Sequence, residues 1–171
     1  MRKLKFNRLH LLLFFTVLIT QNFTVAKAPK KFASLLTKAQ LSVAQAEMIA
    51  DTCVTSFQAS KKTSIAVTVF DTAGSLLAFR RMDGVATGIV ETAMNKGRGA
   101  ALFGFTTREM RNWAISNPSV TLLPGFSGLT GGVPIKTPSG ELLGGVGVSG
   151  ASSDEDEACA INGIRSVEQF F

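Results

Sequence analysis

Histidine is nearly missing from this chain: one of its 171 residues is a histidine, His10, and none is a tyrosine. His10 falls inside an N-terminal stretch that reads as removable, so the mature chain is expected to have no imidazole. Ser-His-Asp and Cys-His catalysis both need an imidazole that titrates near neutral pH, and the usual zinc sites draw on His or on several Cys. With two cysteines, Cys53 and Cys159, neither chemistry can be assembled. A Ser-Lys pair remains chemically allowed, but no local spacing points to one.

Long apolar runs are also lacking. The longest candidate, Leu11 to Ile19, is too short for a spanning helix, which needs about 20 residues. It follows Arg2, Lys3, Lys5 and Arg8 and precedes Ala26-Lys27-Ala28, the order of charged region, short apolar region and small-residue cleavage site of a secretory signal. Residues 1–28 are therefore expected to be a signal peptide, cut after Ala28 or, because Pro29 is an awkward next residue, after Ala26. The product would be exported to a periplasm or the outside, with no membrane span left. The net charge of +6 then falls to +1, since residues 1–28 hold five of the 18 basic residues and none of the 12 acids. That removes the reason to expect a nucleic-acid partner.

Residues 29–36 read as a basic lead-in, and residues 37–171 as one domain, long enough to bury a core. Thr37 with Gln40 fits a capping box, predicting a helix to about Ser60 with Ala46, Ile49, Ala50, Cys53 and Phe57 on one apolar stripe. The period then changes. "SIAVTVFD", "DTAG" and "SLLAFRRMD" read as strand, turn and strand, a hairpin over 65–82. A second helix is predicted from about Thr87 to Phe103. A third opens on Thr106 and Glu109, runs through Trp113 and is ended by Pro118. Residues 120–132 read as a loop with short strand fragments, "GGVPIKT" and "LLGGVGVSG" as a second hairpin, and the acidic "SSDEDEACAINGIRSVEQFF" as a final helix whose first-turn acids suit its dipole. This order predicts an α+β domain with an antiparallel sheet and helices packed on it.

Three local motifs are weak on physical grounds. Gly145, Gly147 and Gly150 satisfy G-x-G-x-x-G, but no strand follows to complete a βαβ unit, and Asp154 to Glu157 would repel a pyrophosphate at the helix start. Those glycines are better read as letting the strand pass close to other backbone. The acids lack the alternating spacing of a calcium loop. "GVSGA" around Ser149 is not a nucleophile elbow, and no histidine is there to activate the serine.

The segment "AFRRMDG", taken alone, is a charged strand end with a good turn in Asp83-Gly84. Together with "NKGRGAALFG", "GGVPI" and "GGVGVSGASSDEDEACAINGI", in this order, it resembles the GlcG/HbpS-like or haem-degrading domain family over about Leu36 to Val167. The resemblance implies a profilin-like α/β/α sandwich with a central antiparallel sheet, a site for an anionic small molecule, assembly into homo-oligomers, and haem as cofactor in some secreted members. The small residues of "GRGAALFG" and "GGVGVSG" would suit such a subunit interface as well as a core. The resemblance assigns the site to Arg81, Met82, Asp83 and Gly84, to Lys96, to Gly131, Gly132 and Pro134, and to Ser149, Gly150 and Asp156. Haem-binding relatives generally use an axial histidine, which is missing here. Iron would fall to Met82, another methionine, Lys96, a cysteine or water, with Arg81 and Lys96 pairing the propionates. The alternative is a non-catalytic binding or assembly module for another small ligand, an organic acid or a corrinoid, and whether any reaction is catalysed stays open. Cys53 and Cys159 are expected to be two separate buried thiols, although a bridge between the first and last helices is sterically conceivable.

Overall fold

The computed structural model describes residues 38–60 and 63–171; the expected signal peptide and lead-in, and Thr37 of the expected capping box, lie outside them. The elements are α1 (Val43–Ser60), β1 (Ala66–Asp71), β2 (Leu76–Arg81), α2 (Thr87–Phe103), α3 (Thr107–Ser116), β3 (Gly132–Lys136), β4 (Leu142–Ser149) and α4 (Ser153–Arg165). The strands form one antiparallel sheet in the order β2-β1-β4-β3. Helices α1 and α4 cover one face and α2 the other, which gives the α+β domain expected from the element order and the α/β/α sandwich implied by the family resemblance.

The helix starts follow local chemistry. Helix α1 begins one motif later than expected, because Ser42 and Gln45 form the reciprocal cap: Ser42 N donates to Gln45 Oε1 and Gln45 N to Ser42 Oγ. The Thr106–Glu109 box opens α3 as expected, and a further box, Ser152 with Glu155, opens α4. The stretch after α3 is a short 3-10 turn, Pro118–Leu122, where strand fragments were expected.

Strand periodicity sorts the side chains into two layers. Val67, Val69, Ile135, Val146 and Val148 pack with Ile49, Cys53, Phe57, Ala160 and Ile164 under α1 and α4. Within that layer Cys53 and Cys159 are joined in a disulfide, with Cα atoms 5.1 Å apart, which corrects the expectation of separate thiols. Each residue faces inward on its own helix, and α1 and α4 are neighbours, so the two inward stripes meet.

The opposite face is built for backbone contact. A Cβ on Gly97 of α2 would stand 2.8 Å from the Gly147 nitrogen, and Cβ atoms on Gly145 or Gly147 would overlap the backbone of α2. Thr68 Oγ1 donates to the Ala93 carbonyl at 2.9 Å in the same layer. Gly145 and Gly147 of the apparent fingerprint thus let α2 lie directly on β4, and Gly150 lies against the backbone of Ser64 and Ile65, the close passage to other backbone that the sequence reading held.

Candidate functional site

Antiparallel pairing brings distant segments to one end of the sheet. Ala66 is opposite both Arg81 and Ser149, and Gly132 is opposite Gly147, so Arg81, Ser149 and Gly131 lie near the same end of three different strands. From β2 to β3 this end spans about 14 Å, three strand spacings. The α4 start, with Asp156, and the middle of α2, with Lys96, reach the β4 and β3 side of it. Pro134 lies farther along β3, opposite Gly145, and is not part of the cluster.

The two adjacent arginines serve opposite layers, as successive strand residues must. Arg80 pairs with Asp51 of α1, its Nε 2.7 Å from Oδ1, and this hydrogen bond holds the guanidinium pKa above its ordinary value. Arg81 is exposed and donates through Nη2 to the Val85 carbonyl just before α2. Asp83 and Gly84 form the exposed turn between them and α2; Gly84 has φ +81°, the left-handed region that favours glycine.

Met82 is placed differently from an open ligand. Its N donates to the Ile65 carbonyl at 3.0 Å, its Sδ accepts from Ile65 N at 3.4 Å, and its side chain packs against the cores on both faces of the sheet. The sulfur is therefore engaged, which argues against the expected axial role. Lys96 is 3% exposed, and its ammonium is held by Asp156 Oδ2 and the Val148 carbonyl. It faces no open space, so the expected contact with a propionate is replaced by a buried ion pair. Asp156 also accepts from Ala151 N at 3.1 Å.

Gly131 makes that pair sterically allowed. It has φ +122°, and a Cβ there would lie 2.9 Å from Lys96 Nζ and 2.8 Å from Asp156 Cβ. Gly132 donates its N–H to Thr107 Oγ1 at 2.8 Å, which ties the start of β3 to the start of α3. Ser149 is buried at the end of β4. Of the expected residues, Arg81 and Asp83 are exposed, whereas Met82, Lys96, Gly131 and Gly132 support the structure around them.

Two features went unread in the sequence. Arg108 of α3 donates to Asp154 and Glu157, so two of the α4 acids form an ion-pair bridge to α3 that holds the guanidinium pKa above its ordinary value. Phe105, Glu109, Met110 and Trp113 line a cavity of about 320 Å3 at the turn from α2 into α3. The available signal was Trp113, four residues after Glu109 on a short polar helix and so on the same face.

Comparison with known proteins agrees with this architecture. A family model described as haem degrading protein HbpS-like matches residues 41–165. Curated protein sequences yield no match. Among solved structures, a double mutant of HbpS from Streptomyces reticuli is 26% identical, covers 84% of this chain and 95% of its own, and superposes with a TM-score of 0.73. The ORFY protein of Klebsiella pneumoniae is 23% identical over 77% of this chain and 96% of its own, with a TM-score of 0.67. PduOC, solved as a haem complex, is 22% identical over 75% of this chain and 95% of its own, with a TM-score of 0.66.

Proposed function

Because the chain belongs to the HbpS-like family, we propose that it is an exported haem-binding protein whose ligand meets the sheet end marked by Arg81 and Asp83. One observation carries the reading. The segments from Arg81 to Asp156 that bear the family resemblance are far apart in sequence, yet folding gathers them at one end of the sheet. Arg81 is an exposed cation at that end, and a guanidinium keeps donors beyond the one used on Val85, suited to a propionate. Bound haem would supply the oxidative chemistry through its iron, and the chain's part is to hold and orient it.

The described residues contain no histidine, both cysteines are bridged, and Met82 and Lys96 are already engaged. Haem at this end would therefore rest on its propionates and apolar edge, with another methionine or water at iron. Titrating the signal-free protein with hemin should give a saturable Soret shift, weakened roughly tenfold or more in Arg81→Ala, as expected for losing a charged hydrogen bond. No shift at micromolar protein would overturn the haem reading, and an unchanged shift in Arg81→Ala would overturn the location. Loss of the Soret band on adding a reductant and oxygen separates breakdown from binding alone.

The same engaged residues favour a second reading, a non-catalytic module for another anionic ligand such as an organic acid or a corrinoid. Mass spectrometry of ligand released from protein purified in its native compartment tests it: a non-haem ligand, with hemin giving no spectral change, selects this reading.

A further inference from the structure

The cavity between α2 and α3 has a chemistry opposite to that of the sheet end. Phe105 follows the left-handed Gly104 that caps α2, and Trp113 is four residues after Glu109 on α3, so the cavity has an aromatic wall from each side of the turn. Both rings are open to solvent, Phe105 49% and Trp113 41% exposed, while Met110, at 1%, forms a buried apolar floor. Trp113 is braced from behind by Phe126, ring centres 6.4 Å apart, and Phe126 packs edge-on against Phe103 at 6.3 Å. The wall is thus held in place rather than free to collapse into the space.

Among the described residues Glu109 supplies the only charge on the lining. Its Oε2 accepts from Thr106 N at 2.7 Å and Thr106 Oγ1 at 2.8 Å, so the helix cap fixes the carboxylate at the cavity rim. Among the described residues no cation is ion-paired with it; the neighbouring Arg108 reaches instead to Asp154 and Glu157. Two aromatic rings, a thioether floor and one fixed negative charge would repel a propionate-bearing ligand and attract a soft organic cation, whose charge is favoured by ring faces. We propose that the Phe105–Glu109–Met110–Trp113 cavity is a second binding site, independent of the haem reading, for a small methylated ammonium cation.

Trp113 is the one tryptophan of a chain without tyrosine, so its emission reports the cavity directly. The probes are choline and its uncharged carbon isostere, dimethylbutanol, titrated in the absence of hemin. Choline should change the emission saturably and bind roughly tenfold more tightly than the isostere, the size expected of a desolvated cation over aromatic faces. Glu109→Gln, which keeps the capping pattern and should leave circular dichroism unchanged, should remove most of that preference. Phe105→Ala should weaken choline binding while folding is retained. Equal binding of the two probes would overturn the proposal in favour of a merely apolar cleft. It would also fail if choline gave no saturable change, or if Phe105→Ala altered the particle mass in light scattering, since a second copy would then occupy the cavity.

Discussion

Lys96 and Asp156 belong to opposite layers of the sandwich, yet their charged atoms are 2.8 Å apart, joined past the end of the sheet beside Gly131. Both side chains are under 5% exposed. Removing one partner of such a pair leaves an uncompensated buried charge, so Lys96→Met should cost about 3 to 5 kcal/mol in urea unfolding. The double change Lys96→Met with Asp156→Leu should cost clearly less than the sum of the single changes.

Burial pushes the Asp156 carboxyl above the ordinary carboxylate range, against the pull of Lys96. The folded state then holds this proton more tightly than the unfolded chain. Stability contributed by this group should be greatest below the unfolded value of about 4 and be lost as pH rises through the raised folded value, levelling off above it. Unfolding curves across that interval should show the fall in the parent protein, and a flatter profile in Asp156→Asn.

Two glycine substitutions should have opposite signs. Gly147→Ala places a Cβ in the backbone of α2 and should cost about 3 kcal/mol or more by overpacking. Gly88→Ala, in the first turn of α2 with nothing within 4 Å of the added carbon, should stabilise by about 0.5 to 1 kcal/mol. Midpoints of chemical unfolding measure both.

The disulfide should be detectable without a structure. Unfolded, unreduced protein should show no free thiol, and Cys53→Ser with Cys159→Ser should lose about 2 to 5 kcal/mol, in keeping with a bridge across 106 positions. Two thiols per unreduced chain would refute it.

Assembly is tested by light scattering. Ile115 at the end of α3 and Leu122 on the following 3-10 turn are 73% and 84% exposed, the two most exposed large apolar side chains among the described residues. The expected homo-oligomer should give a mass of several chains at micromolar concentration, and Ile115→Glu with Leu122→Glu should reduce it. A monomeric parent would overturn the assembly.

Periodicity and caps made most of the fold legible. Both hairpins, α2 and the Thr106–Glu109 start of α3 follow from local pattern, because each depends on residues within one turn or one strand pair. The start of α1 did not, because Thr37–Gln40 and Ser42–Gln45 carry the same spacing and local sequence cannot rank them. The site was less legible for a different reason. Whether Lys96 meets water or Asp156 is decided by the missing side chain of Gly131, 35 positions away and on another element. Likewise the sulfur of Met82 has a partner only because β1 places the Ile65 N–H beside it. The disulfide required knowing that two inward stripes face each other across α1 and α4, a fact of helix packing rather than of either helix.

The bridge also makes the two sides of the sheet mechanically unlike. On one side, α1 and α4 are a covalent pair, and neither can peel away without carrying the other. On the other, α2 lies against β4 through glycine backbone and is tied to α4 by the Lys96–Asp156 ion pair, with no covalent cross-link among the described residues. Local opening that breaks no covalent bond is therefore expected on the α2 and α3 side, once the Lys96–Asp156 pair parts. A single protease cut there, between positions 53 and 159, leaves one covalent particle heavier only by the water of hydrolysis, since both fragments stay attached through Cys53 and Cys159 until the bridge is reduced.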